Sequence, residues 1–275
     1  MAINLAKKSC DKLVQAAALE SSVLVGALST AYNFVGAKTV EVITAVTQEM
    51  NDYNREGGMN RYGTPTEVQD TKQELTLSQD KSFSMTVDKG NLKDQNNLKK
   101  AGAILKAQLK ERAIPLYDKY CLGVLAANGT AGAETSAITK SNVATRIMSG
   151  TTALDNAEIP STGRTLFISA DVYKWLKLSD ELIQVEPMAR KALGKGVVGE
   201  FDDMIVKKVP SSRMPEGVNF IIVQKESATA PKKLEDAKIH QDPPGLSGNL
   251  IEGRWYYDCF VLDARKAGVY VDKNA

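Results

Sequence analysis

"QELTLSQDKSFSMTVDKG", residues 73–90, decides how this chain is read. From Thr71 to Val87 the odd positions run Thr, Gln, Leu, Leu, Gln, Lys, Phe, Met, Val, and the even positions Lys, Glu, Thr, Ser, Asp, Ser, Ser, Thr. Alternation at period two marks a strand with one apolar face. As one strand it would run roughly 55 Å at about 3.3 Å per residue. Strands of globular domains usually have about 3–10 residues, so this one outreaches the body that a chain of 275 residues can build.

Upstream, "AKTVEVITAVTQ" (37–48) alternates in the same way, with Val40, Val42, Thr44 and Val46 on one face. Between the two lies "EMNDYNREGGMNRYGTPTE" (49–67), which holds Tyr53, Arg55, Arg61, Tyr62, three glycines and a proline without hydrophobic period. The pattern predicts strand, long polar tip, strand. A two-stranded ribbon alone in water is marginal, and its edges and apolar face need cover, from the rest of the chain or from another subunit. Residues 3–28 read as an amphipathic helix or semi-ordered arm, with Leu13, Ala17, Leu24 and Leu28 on one side. Such an arm has little body of its own to bury against, and a neighbouring chain can supply one.

Downstream, residues 96–129 carry Leu98, Gly102, Leu105, Leu109, Leu116, Tyr120 and Val124 at helical spacing, with Asn96 or Asn97 to cap the start and Asn128-Gly129 to stop it. Pro115 predicts a kink in this helix of about thirty residues, roughly 45 Å long. Residues 138–157 read as a second helix, capped by Thr139 or Ser141, with Val143, Ile147, Thr151 and Leu154 as its face. Then the texture changes. A buried strand is predicted at 164–170, a helix at 171–182 carrying Val172, Trp175, Leu176 and Leu178, and strands at 202–210 and 219–225. A stretch that is mostly loop follows at 233–248 around Pro243-Pro244-Gly245, and 252–272 predicts two closing strands around Lys266-Ala267-Gly268.

Composition bounds the function. Apolar content of 43% suffices for a core, and a net charge of +2 predicts no strong general attraction to nucleic acid or acidic surfaces. No run reaches the eighteen or so apolar residues of a membrane span. Cys10, Cys121 and Cys259 are scattered, without metal or disulfide spacing, which fits a reducing compartment.

Candidate chemistry is thin. Gly194-Lys195-Gly196-Val197-Val198-Gly199 is a literal G-x-G-x-x-G, but a dinucleotide site needs a strand before it and a helix after it. Here the expected order is reversed, which favours a turn; an NAD(P)-binding enzyme using 194–199 stands as the alternative of another class. The single histidine, His240, falls in the proline-rich stretch. Asp202-Asp203 would point to opposite faces of a strand. Glu181/Glu186 and Glu235/Asp236 read as solvated surface. Lys99-Lys100, Lys207-Lys208 and Lys232-Lys233 are short basic pairs without interleaved aromatics. The group Trp255-Tyr256-Tyr257 with Phe260 reads as a packed strand. Catalytic, cofactor and metal residues are expected to be absent.

The order of elements resembles the HK97-fold major capsid proteins of tailed bacteriophages. "LTLSQDKSFSMTVDKGNLKD" resembles the descending strand of that family's extended loop running into its spine helix. "AIPLYDKYCLGVLA" resembles the mid-spine segment, "VVGEFDDMIVKKVPSS" the strand pair of the axial lobe, and "GRWYYDCFVLDARKAGVYV" the closing strands. The resemblance implies an α+β HK97-like capsid fold with an N-terminal arm (1–36), an extended β-loop ribbon (37–90), a peripheral domain with the spine helix (91–159 and 251–275) and a mixed α/β axial lobe (160–250). It implies a structural protein, not an enzyme, assembling as pentamers and hexamers around double-stranded DNA. The implied partners are its own copies, a separate scaffolding protein, a portal and weakly bound DNA, without membrane. The implied location is a virion capsid assembled in the host bacterial cytoplasm. An encapsulin-like nanocompartment shell is the alternative within the fold. Expected inter-subunit contacts are Leu13, Leu24, Tyr53, Arg55, Arg61, Tyr62, Leu75, Leu77, Phe83 and Met85. Lys72, Lys81 and Asn274 offer groups for the isopeptide bond some members form, but no local pattern assigns one.

Overall fold

The alternating stretch is divided between two sheets. In the computed structural model, which describes residues 22–32, 34, 38–94, 101–179 and 197–274, strand β2 (Asp70–Thr76) pairs antiparallel with β1 (Thr39–Ala45). Strand β3 (Gln79–Asp88) pairs instead with β11 (Gly248–Tyr257). The break falls at Leu77-Ser78, whose amides donate to the Lys38 carbonyl (3.2 Å) and to Asp258 Oδ2 (2.7 Å). The odd-position face keeps its phase across the break. Leu75, Leu77 and Val87 are buried, and Phe83 and Met85 are half-buried. So the expected 55 Å strand does not exist; only its first part leaves the body, as a ribbon with β1.

The body is organised around a six-stranded sheet in the order β4-β13-β8-β5-β7-β6. Its members are β4 (Thr130–Ala131), β5 (Arg164–Ser169), β6 (Val197–Phe201), β7 (Met204–Val209), β8 (Val218–Gln224) and β13 (Val269–Lys273). The central strands β5 and β8 are buried along their whole length, which is why they read as near-continuous apolar runs. Leu166, Ile168, Val206, Phe220 and Ile222 pack with helices α4 (Val143–Asn156) and α5 (Ala170–Leu178). Phe167, Val209, Ile221, Val223 and Val271 pack on the opposite side with α3 (Ile114–Asn128).

Helix α1 (Lys89–Asp94) follows β3 directly; the long helix contains α2 (Ala101–Gln108), a π-helical turn (Leu109–Ala113) and α3, and the proposed caps Asn96 and Asn97 lie outside the described residues. Pro115 stands in the first turn of α3 and has no N–H to give to the turn before it. That turn is widened, with the Ile114 amide reaching back to the Leu109 carbonyl, at the place of the expected kink. The extra residue rotates the apolar face. Leu105 and Leu109 are buried as predicted, but beyond the turn the buried residues are Ile114, Tyr117, Cys121, Leu122 and Leu125, while Leu116 is 49% exposed.

A three-stranded sheet, β10 (Lys232–Gln241), β11 and β3, lies over this helix through Ala237, Ile251, Trp255 and Tyr257. β10 corrects the expectation of a loop at 233–248. Alternation in this edge strand is hidden because its outer face carries Asp236, Lys238 and His240, with Ala237 and Ile239 inward. Charges on an edge also guard it against further pairing. Two-residue strands β9 (Ala228–Thr229) and β12 (Phe260–Val261) form a small clasp.

Other expectations shift in detail. The second helix starts at Val143, with Asn142 rather than Thr139 or Ser141 in the N-cap position, its Oδ1 accepting from the Thr139 amide at 2.7 Å. Asp202 and Asp203 form the β6–β7 turn, both at positive φ (50° and 57°), rather than starting a strand. Pairing also crosses the boundaries drawn from sequence: β10 of the 160–250 segment pairs with β11, which pairs with β3, while β13 of the 251–275 segment pairs with β8.

Candidate assembly surfaces

β1 and β2, about 23 Å long each, lead into residues 46–69, all of them exposed except Gly57 and Gly63. Among the described residues, seven of the thirteen exposed large apolar side chains fall in this ribbon: Ile43, Val46, Met50, Tyr53, Met59, Tyr62 and Val68. That concentration on one projecting element is what interaction surfaces look like. The tip is nonetheless defined. Tyr53 and Tyr62 meet edge to face at 4.9 Å, and the Asn54 amide donates to the Arg61 carbonyl at 3.1 Å. Arg61 Nε donates to the Gly57 carbonyl at 2.6 Å, and Asn54 Oδ1 accepts from the Glu56 and Gly57 amides. Asn60 and Gly63 take the left-handed backbone (φ 63° and 91°) that turns the chain. Residues 46–69 carry four acids and two arginines.

The ribbon's base is fixed by one carboxylate. Asp258, 3% exposed, accepts from the Ser78 amide (2.7 Å), the Tyr120 hydroxyl (2.7 Å) and the Cys259 amide (2.8 Å). Burial, and after it the bond to Asp258, push the Tyr120 phenol to about 12. Gln73 adds a second hold: its Nε2 donates to the Val261 carbonyl (3.0 Å) and its Oε1 accepts from the Asp263 amide (3.0 Å). Phe34, Leu75, Leu77 and Leu262 close a small core beneath.

A second buried carboxylate holds residues 22–29, which form turns; of the two readings of 3–28, helix or semi-ordered arm, these residues do not take the helix, and residues 3–21 lie outside the described residues. Asp118 of α3, fully buried, accepts from Ser22 Oγ (2.7 Å), the Val23 amide (3.3 Å) and Arg213 Nη1 (2.8 Å). Lys207 of β7 donates to the Val23 carbonyl (3.0 Å) and the Val25 carbonyl (2.5 Å). Burial raises the Asp118 carboxyl against the pull of Ser22, Val23 and Arg213, and burial lowers the Lys207 ammonium against the pull of Asp118. Lys207 is therefore no solvated basic residue. Neither group carried a sequence signal, because the segment that buries them is far away in the chain. A third buried pair, Arg146 with Asp272 (2.7 Å, both side chains 2% exposed), ties α4 to β13.

The ten expected contact residues separate. Tyr53, Arg55, Arg61 and Tyr62 are together on the exposed tip. Leu24 (5% exposed), Leu75 and Leu77 (1% each) lie in the chain's own core, which leaves them no surface for a neighbour. Phe83 and Met85 pack partly on the long helix. Leu13 lies outside the described residues. Sequence reading missed Met50, Met59 and Val68, whose exposure among polar neighbours is a matter of the fold.

Other candidates gain little. Gly194 to Gly196 lie outside the described residues, as do Glu181 and Glu186; Val197–Phe201 is a strand, not the helix N-terminus a pyrophosphate needs. His240 faces Glu252 across two strands at 3.4 Å, both exposed. Among the described residues no His, Cys, Asp and Glu cluster suits a metal and no helix is long and apolar enough to cross a membrane. Cys121 and Cys259 are free thiols in the core.

No family model and no curated protein matches the sequence. Solved structures do match the fold. A chain from Mycobacterium phage Che8 aligns at TM-score 0.70 and 19% identity over 92% of this chain and 91% of that one. The capsid of the cyanophage P-SCSP1u aligns at 0.65 and 13% over 87% and 84%. A virus-like particle from Pyrococcus furiosus aligns at 0.63 and 9% over 95% and 96%. The chain has the α+β, HK97-like capsid fold.

Proposed function

We propose that this chain is the major subunit of a viral head: a structural protein that assembles with its own copies, as pentamers and hexamers, into an icosahedral shell around double-stranded DNA. The observation that carries the reading is the ribbon. On a fold shared with phage capsids, one element carries most of the exposed large apolar side chains of the described residues beyond the body. A surface of that kind in a closed assembly is covered by the next copy, and rotation closes the ring. Tyr53, Arg55, Arg61 and Tyr62 are its proposed contacts, with the 1–36 arm, the 37–90 loop and the peripheral and axial lobes in the roles expected from sequence. Catalysis and cofactors have no part. A separate scaffolding protein and a portal are the further partners, and assembly in the host bacterial cytoplasm yields the virion capsid.

An encapsulin-like compartment enclosing protein cargo is the second reading, favoured by the likeness to the Pyrococcus furiosus particle over 95% of this chain. Expression of the chain with and without a scaffolding partner, followed by sizing and negative-stain microscopy, tests the class. Closed shells, rings or tubes are expected, and packaged DNA against packaged protein then separates the two readings. Deletion of residues 51–64 should leave a soluble, folded subunit that assembles poorly. Normal shells from that deletion would overturn the ribbon's role.

A further inference from the structure

Lys207 and Lys208 are neighbours in sequence with opposite fates. Lys207 points to the side of the sheet that meets α3 and is buried, whereas Lys208 points to the α5 side and is exposed. There it meets α5. Tyr173 of that helix has two ammonium groups over its ring, Lys177 at 5.4 Å and Lys208 at 5.7 Å. One position on, Lys174 lies 5.4 Å from the Trp175 ring, and Trp175 is 36% exposed. The fold thus interleaves aromatic rings with basic side chains that are ordinary lysine pairs in the sequence.

Cation–π contact at these distances holds an ammonium group in place while leaving its outer side to solvent. Lys177 and Lys208 share one ring, and Lys174 precedes Lys177 by three residues, which makes them neighbours on the exposed side of α5. Asp171, at the start of α5, accepts from Ser211 Oγ at 2.6 Å and keeps its charge. Glu200 of β6 pairs with Ile205, on the other side of the sheet from Lys208. Among the described residues, the cations of α5 and β7 are all lysine. A lysine ammonium is a compact point charge that can meet a phosphate oxygen without the fixed fork geometry by which arginine binds carboxylate and phosphate alike. We infer that the surface of Lys174, Lys177 and Lys208, set on Tyr173 and Trp175, binds the phosphate backbone of nucleic acid without reading sequence. It deepens the shell reading and rests on it only for its repetition: a weak contact on each subunit becomes strong when many copies face one polymer.

The test uses the unassembled subunit and a short mixed-sequence DNA duplex. Neutralising three phosphates predicts a log–log salt slope of about −2.7. The K174Q/K177Q/K208Q variant should lose most of that slope, while K106Q/K119Q/K266Q, which removes the same charge from exposed sites elsewhere, should keep it. Duplex should also change the emission of Trp175, the exposed one of two tryptophans, and Trp175→Phe should bind with that signal gone. An unchanged slope in the first variant, or an equal loss in the control, would overturn the proposal. So would tighter binding of poly-glutamate than of DNA, which would assign the face to an acidic protein. Particle formation by the same variants is scored separately: shells without DNA binding sink this surface alone, and DNA binding without shells sinks the assembly reading alone.

Discussion

In the six-stranded sheet, β5 and β8 expose no residue, and both faces of these strands are covered by helices of the same chain. In the ribbon, strands of similar length leave Ile43 59% exposed, and Val46 and Val68 beyond them 49% and 74% exposed. Both regions contain β-branched, apolar positions suited to pleated surface. They differ in where the cover comes from. The sheet's apolar groups stabilise this chain, at about 25 cal/mol per Å2 removed from water. The ribbon's apolar groups leave folding nearly untouched and carry a free energy that only a partner can collect.

The widest separation between the regions should appear in denaturant. Phe220→Ala empties a fully buried site and should cost about 3–5 kcal/mol. Val68→Ala on the ribbon should stay within about 0.5 kcal/mol. Equal costs in a urea titration would break the comparison. Asp258→Ala strips the acceptor from three donors at the junction of the two regions, at about 1–3 kcal/mol for each buried donor left unpaired. Hydrogen exchange should then quicken in β2 while β8 stays protected; uniform quickening would deny the junction its local role.

A smaller effect is expected from pH. Burial raises the Asp118 carboxyl above its ordinary 3.8, so the folded chain holds that proton more tightly than the unfolded one. The contribution of Asp118 is then fullest below 3.8 and declines as pH rises through the window above it. Paired melts of wild type and D118N across that window should show the wild type losing ground with rising pH, and a flat difference would refute this. Least visible in stability is Tyr62→Ala, within about 0.5 kcal/mol, although particle yield should fall. An unaltered yield would remove Tyr62 from the interface.

What was legible in the sequence follows the same division. "TLFIS" and "NFIIV" announce themselves because a strand covered on both faces carries an unbroken apolar run at its centre, with its polar residues at the ends. The ribbon was legible through its period of two. β10 was not, because its outward charges and the Pro243-Pro244-Gly245 turn outweigh Ala237 and Ile239. Tyr53 and Tyr62 were found as part of a polar tip, yet their ring contact needed the backbone turn at Asn60 and Gly63. Lys208 was read as half of a basic pair without aromatics, since Tyr173 is brought to it only by the fold. Asp118 and Lys207 were invisible for the converse reason: residues 22–25 bury them from far along the chain.

The π-helical turn at Leu109–Ala113 also bears on how this gene tolerates change in length. A codon lost from 46–69 shortens a tip. A codon lost from 109–113 would remove the extra residue and close the wide turn to α geometry, with the buried positions before and after it brought into one helical phase. A codon lost from 114–117, in regular helix, would instead rotate everything after it by about 100°; Asp118 and Cys121 would swing off the core together, and the residues 22–29 that Asp118 holds would lose their seat. In-frame deletions should therefore be absorbed at the ribbon's end and at the five codons of the wide turn, and be purged from the helix that follows.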